Sequence, residues 1–268
     1  MKVNVRKGLD INLEGASLNS ISDANSPKVV ALKPSDFPNL MPKMMVKEGD
    51  DVKCGSVVFC DKYNDEIKFV SPVSGKIKEI VRGAKRKILA ITIDSNGKME
   101  QLNSSPKDLS KMDISEIKSE LMSSGLWPLL KMRPIDIVAI PKDTPKSIFI
   151  SSFDTHPLSP DYSFIMQGKS AEFNAGLEVL NKLTEGDVHL QVRNNSDEVF
   201  TKASNVKINT VNGPHPAGNV GVQIHNIDTL NKGDVIWYIN PQDVMIIGRY
   251  TLTGAYDASK IIAVGGSN

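Results

Sequence analysis

Two short segments carry residue types that could do chemistry. In Val211-Asn212-Gly213-Pro214-His215-Pro216-Ala217-Gly218-Asn219 one histidine sits between two prolines, framed by Gly213 and Gly218. Prolines restrict the loop, glycines let a ligand approach the backbone, and an imidazole can donate a hydrogen bond to a ligand oxygen. In Ser151-Ser152-Phe153-Asp154-Thr155-His156-Pro157 a carboxylate lies two residues from an imidazole. Asp154 and His156 suit acid–base work, but the same spacing also serves to cap a helix or satisfy a loop. Neither segment completes a known catalytic set. There is no Lys-Ser/Thr ending of a phosphate loop, no Gly-x-Ser-x-Gly elbow, and no Gly-x-Gly-x-x-Gly opening a helix. The four histidines, His156, His189, His215 and His225, lack ligand spacing, and Cys54 and Cys60 are too few for an iron–sulfur cluster. The chain is therefore expected to bind rather than catalyse alone, with no metal, flavin, NAD or iron–sulfur centre of its own.

Composition narrows the partners. Of 268 residues, 32 are Lys or Arg and 31 Asp or Glu, a net charge of +1, which argues against a nucleic-acid footprint. Two cysteines do not make a secreted disulfide scaffold, so a reducing compartment is expected. No signal peptide opens the sequence, and no apolar run is long enough to span a bilayer. The basic run Arg82-Gly83-Ala84-Lys85-Arg86-Lys87 reads as a solvated hairpin, or as a face for an acidic partner or anionic lipid.

The elements that would position the two loops fall into two stretches. Residues 1–100 are β-rich: Val29–Leu32, Val57–Phe59, Ile67–Val70, Ile77–Val81 and Ile88–Ile93 have strand length, with Gly, Pro, Asp and Asn between them. Asn103-Ser104-Ser105-Pro106-Lys107 reads as a linker. From 101 to 256 strands and helices alternate. Helices are predicted from Ile114 to Ser124 behind Asp113, from Glu172 to Leu183, and after Asn240-Pro241. Strands are predicted at Ser147–Ser151, Val188–Val192, Val206–Val211 and Val235–Ile239. That alternation predicts an α/β fold, α+β over the whole chain, with a Rossmann-like parallel sheet in the second stretch. In such a sheet both loops leave strands at the carboxyl end, the edge where ligands bind, and they are expected to line one crevice. Lys260–Val264 reads as a further strand, opening a third domain over 257–268.

The first stretch resembles a biotinyl/lipoyl carrier module. Gly49-Asp50-Asp51-Val52-Lys53-Cys54-Gly55 and Ser71-Pro72-Val73-Ser74-Gly75 stand at nearly the spacing of its two turns. A carrier needs a lysine at the hairpin tip between the halves. Here the tip is Tyr63-Asn64-Asp65, with Lys62 beside it, so the module is expected to be a β-sandwich scaffold without a swinging arm.

Segments along the whole chain, in order, resemble one family: the A subunit of the bacterial sodium-pumping NADH:quinone oxidoreductase. They begin with Lys7-Gly8-Leu9-Asp10 and the carrier-like turns. Ser124-Gly125-Leu126-Trp127, Arg133-Pro134, Thr144-Pro145 and Asp154-Thr155 with Pro157-Leu158 follow. Leu183-Thr184-Glu185-Gly186, Gly213 to Gly218, and Asn240 with Gln242-Asp243-Val244 complete them. The resemblance implies a peripheral component on the cytoplasmic face of the bacterial inner membrane, docked on membrane-embedded partners. It also implies a fold related to the flavin-binding subunit of respiratory complex I, and a role in binding ubiquinone or menaquinone. On that reading flavin, NADH and iron–sulfur sites lie on other chains of the complex, and residues from 257 open a β-grasp domain. The candidate quinone-side residues are His215, Gly213, Gly218, Asp154 and His156. A stand-alone flavin or nucleotide binder, and a ligand-free scaffold, stay open as alternatives.

Overall fold

A computed structural model describes residues 1–14, 18–102 and 105–264. Residues 15–17, Asn103 and Ser104 of the expected linker, and 265–268 lie outside the described residues.

The chain starts with β1 (Lys2–Asn4) and then builds a module of two antiparallel sheets. One sheet holds β2 (Val29–Leu32), β4 (Asp51–Val52), β7 (Gly75–Arg82) and β8 (Ile88–Ser95) in the order β2-β8-β7-β4. The other holds β3 (Pro42–Met44), β5 (Val57–Asp61) and β6 (Lys68–Val70) in the order β3-β5-β6. The turn glycines act as the sequence implies. Gly49 and Gly55 have φ of 88° and 90°, a region that side chains with a Cβ avoid. Between the sheets Phe59 stacks on Phe69 with ring centroids 4.6 Å apart, and Phe37 meets Phe69 edge-on at 4.7 Å. The β5–β6 hairpin turns through Tyr63-Asn64-Asp65, with Asp61 Oδ1 accepting from the Tyr63 N–H. Because no lysine stands at that turn, the intact mass of the natively produced chain is expected to match the unmodified sequence. A lipoyl or biotinyl adduct on Lys62 or Lys68 would overturn the scaffold reading.

The second unit contains α1 (Ile114–Ser123), β9 (Lys131–Arg133), β10 (Ile137–Val138), β11 (Ser147–Ser151), α2 (Tyr162–Ile165) and α3 (Ser170–Lys182). It continues through β12 (Val188–Val192), α4 (Glu198–Thr201), β13 (Lys207–Asn212), α5 (Val220–Ile227), β14 (Ile236–Tyr238) and α6 (Pro241–Thr253). Its seven-stranded sheet runs β1-β13-β12-β11-β14-β9-β10. The strands β1, β13, β12, β11 and β14 are mutually parallel; β9 and β10 close one edge antiparallel. Local signals explain the helices. Asp113 and Glu116 form a reciprocal capping box at α1, and Pro241 occupies the first turn of α6. Alternation along β12 sends Val188, Leu190 and Val192 into the main core with α3 and α6, leaving His189 and Gln191 on the opposite face. That core is continuous with the β-module, since Phe59, Phe69 and Ile77 belong to the same buried cluster as Leu126, Trp127 and Trp237; Val70 lies against Gly125 at the junction, and Trp127 meets Trp237 edge-on at 5.4 Å.

The two ends of the chain depart from the local pattern. Lys2–Asn4, ahead of the β-module, pairs with Thr210–Asn212 as the parallel edge strand of the large sheet. Only Val3 of that strand is buried, so no local pattern announces it. Lys260–Val264 is not a strand. The side-chain amide of Gln242 takes both main-chain groups of Ile261: its Oε1 accepts from the Ile261 N–H at 2.8 Å, and its Nε2 donates to the Ile261 carbonyl at 3.0 Å. Those groups are thereby satisfied without a neighbouring strand.

Candidate functional site

The order of strands dictates where a crevice opens. The chain runs β11, β12, β13 outward to one side and then returns to place β14 on the other side of β11. Neighbouring connections diverge at that reversal, so a cleft forms outside the carboxyl ends of β11 and β14. A cavity of about 500 Å³ lies there. Phe149 and Ser151 of β11 and Phe153, Asp154 and His156 just beyond it form one wall. Tyr238, Ile239 and Asn240 after β14 form another, with Arg133 from β9 and Tyr162 from α2. Gly218 to Val222, entering α5, close the third.

Asp154 gathers its own loop. Its Oδ1 accepts from the Thr155 N–H at 2.6 Å, the His156 N–H at 3.0 Å and the His156 Nδ1 at 2.7 Å. Burial works against ionisation, but the donors from His156 and Thr155 outweigh it, so the Asp154 carboxyl sits below the usual carboxylate range. A carboxylate at Nδ1 places the proton on that nitrogen, which leaves Nε2 of His156 as the ring nitrogen for a ligand.

The far wall is phenolic and basic. The Tyr238 hydroxyl donates to Asp136 Oδ1, and burial together with that carboxylate pushes the phenol up to about 12. Arg133 lies over the Tyr238 ring, its guanidinium carbon 5.1 Å from the centroid, and reaches Asp136 at 3.8 Å. The Arg133 Nε is buried and makes no hydrogen bond among the described residues. Burial, with Asp154 and Asp243 nearby, also raises the Tyr162 phenol. Beneath the crevice, Gln223 of α5 is fully buried and ties its walls together, donating from Nε2 to Ser151 Oγ at 2.9 Å and to the Ala217 carbonyl at 3.0 Å.

The two loops singled out from sequence do meet at this edge. The His156 and His215 rings lie 4.6 Å apart, and His215 Nδ1 is 3.0 Å from Thr155 Oγ1. Asp154, His156 and Gly218 line the crevice; His215 and Gly213 do not, and form the layer behind it. At both glycines protein backbone stands in the space a Cβ would take. At Gly213 (φ 126°) that atom would stand 2.2 Å from the Val5 carbonyl oxygen, and at Gly218 it would stand 2.5 Å from the Thr155 nitrogen. The sequence candidates left out Arg133, Tyr162, Tyr238 and Asn240; Arg133 and Asn240 stood in the family-like segments, and Asn240 also as a helix start, but nothing local placed any of the four at the crevice.

Among the described residues no group of three or more His, Cys, Asp or Glu could hold a metal ion, and no helix is long and apolar enough to cross a membrane.

Comparison with known proteins matches this architecture. Residues 3–96 fit the family model of the NqrA N-terminal barrel-sandwich hybrid domain, and residues 112–256 fit that of the NqrA second alpha/beta domain. The A subunit of the Na(+)-translocating NADH-quinone reductase of Neisseria meningitidis serogroup B (strain ATCC BAA-335 / MC58) is 36% identical over 267 residues, covering 99% of this chain and 60% of that protein. Its counterpart from Pasteurella multocida (strain Pm70) is 36% identical over 266 residues, with 98% and 60% covered. That of Yersinia pseudotuberculosis serotype O:1b (strain IP 31758) is 35% identical over 269 residues, again with 98% and 60% covered. The chain thus spans about 60% of the length of these curated relatives. With its two successive domains matched and its whole length aligned, the chain belongs to the NqrA family, the A subunits of the Na(+)-translocating NADH-quinone reductase.

Proposed function

We propose that this chain is a peripheral component of a sodium-translocating NADH:quinone reductase and that its crevice at the β11–β14 switch point holds the quinone headgroup. The observation that carries the reading is the lining of that crevice. Quinone headgroups are flat and apolar, with a carbonyl oxygen at each end. A cavity of about 500 Å³ walled by Phe149, Phe153, Tyr162 and Tyr238 has the size and surface for such a ring. Its polar groups are few and differ in how committed they are. Tyr238 already donates to Asp136, whereas the Arg133 guanidinium offers N–H donors at the crevice wall, and Nε2 of His156 is a donor for a second carbonyl when the ring carries both protons. Electrons, sodium and membrane attachment belong to partner chains in this reading.

Titration of the purified chain with a short-chain ubiquinone analogue, followed by ligand-observed NMR, tests it. Wild type is expected to bind saturably. His156→Ala is expected to weaken binding about two- to tenfold, the contribution of one hydrogen bond. No saturable quinone binding, or tight stoichiometric binding of FMN instead, would overturn the proposal in favour of a nucleotide site.

A further inference from the structure

We infer that Asp10 is a positioning residue for the crevice, holding His156 in place through His215. This rests on the crevice being the ligand site proposed above. The contacts run without a break from one residue to the other. After β1, the strand direction carries residues 5–10 across the 213–216 loop. The Val5 N–H donates to the Asn212 carbonyl at 2.8 Å. Gly8 then lies flat against the His215 carbonyl, where a Cβ would stand only 1.9 Å from the oxygen. Both main-chain groups of His215 are gripped by the next two residues. The Leu9 N–H donates to the His215 carbonyl at 3.0 Å, and Asp10 Oδ1 accepts from the His215 N–H at 2.8 Å, a contact across 205 residues of sequence.

His215 passes the constraint on. Its Nδ1 meets Thr155 Oγ1 at 3.0 Å, and the same oxygen accepts from the Gly218 N–H at 2.9 Å. Thr155 and His156 are in turn fastened to Asp154, and the His156 ring packs on the His215 ring at 4.6 Å. Asp10 touches nothing in the crevice. It fixes the peptide that fixes the residue that lines it. A charge-assisted bond to a backbone N–H is among the stronger hydrogen bonds, which suits a carboxylate at this point. A strap that only stabilised the fold would need no carboxylate here, since β1 already anchors residues 2–4.

The test compares wild type, Asp10→Ala and Asp10→Asn by imidazole ¹⁵N NMR at one pH, together with thermal melting and quinone titration. Asp10→Ala is expected to shift the His215 and His156 ring resonances and weaken quinone binding about three- to tenfold, with little change in melting temperature. Asp10→Asn keeps a side-chain oxygen for the His215 N–H and is expected to restore most of the wild-type shifts and affinity. Unchanged His156 resonances in Asp10→Ala would overturn the inference, even if that variant melted earlier. If wild type bound no quinone, the proposed ligand would be wrong, and the imidazole shifts would still decide whether Asp10 positions His156.

Discussion

Gly248→Ala is expected to lower the melting temperature by roughly 4–8 °C, although it puts the best helix former in place of the worst ordinary one. The two effects oppose each other. Alanine in a helix interior is favoured over glycine by about 1 kcal/mol. Gly248 of α6, however, sits where that helix crosses α3 at backbone distance. A Cβ there would stand 1.7 Å from the Glu172 carbonyl oxygen and 2.7 Å from the Gly176 nitrogen. The partner position is just as tight, since a Cβ at Gly176 would stand 2.1 Å from the Val244 carbonyl oxygen. These neighbours are backbone and cannot swing aside, so the helices must separate. Separation loosens Phe173, Leu177, Val244 and Ile247, all fully buried. Overpacking of this kind typically costs about 1–3 kcal/mol, and the upper end applies where the clash is with main chain. The net loss is then about 2 kcal/mol, which at about 2–4 °C per kcal/mol sets the expected shift. Gly221→Ala is the control: Gly221 stands in α5 with nothing within 4 Å of the added carbon, so it should melt at or above wild type. Equal melting of Gly248→Ala and wild type would show that the α3–α6 crossing is not as close as described.

That crossing illustrates what a sequence shows and what it hides. The period of Phe173, Leu177 and Leu180 announces α3, and Asn240-Pro241 announces α6. Both signals are local, as are the capping box at Asp113 and Glu116 and the turn glycines of the β-module. Nothing local says that Gly176 and Gly248 face each other. The same limit applies to β1, a short strand with one buried side chain and a partner far along the sequence. It applies as well to α5, which opens Val220-Gly221-Val222, poor helix formers all, and exists because Ile224 packs with Phe149 and Ile236. Ile261-Ile262 shows the reverse failure: β-branched residues suggest a strand, and a glutamine side chain overrides them. For the site, parallel-sheet reasoning brought the Asp154 and His215 loops to one edge. It could not show that β14 returns beside β11, and that return brings Arg133, Tyr238 and Asn240 to the crevice.

Gly218→Ala is expected to weaken quinone binding about tenfold while changing stability far less than Gly248→Ala does. Gly218 is where the two loops touch. A Cβ there would stand 2.5 Å from the Thr155 nitrogen, 2.8 Å from Thr155 Oγ1 and 2.9 Å from the Asp154 carbonyl carbon. Contact this close means that one loop must move. Here the yielding partner is a surface loop rather than a helix, so the strain relaxes by displacing residues 154–156 outward. That displacement breaks the bond from the Gly218 N–H to Thr155 Oγ1 and loosens Thr155 from His215. The affinity falls because His156 moves away from the ligand, which removes one hydrogen bond of about 0.5–1.5 kcal/mol, and a tenfold change in affinity corresponds to about 1.4 kcal/mol. Melting should fall by only a few degrees, because Ala217 and Gln223 still hold the base of the loop to β11. Quinone titration and thermal melting on the same preparation separate the two effects. A variant with wild-type affinity would mean that the Asp154–His156 loop does not shape the ligand site. A variant that lost as much stability as Gly248→Ala would mean that this juncture belongs to the core rather than to the rim of the crevice.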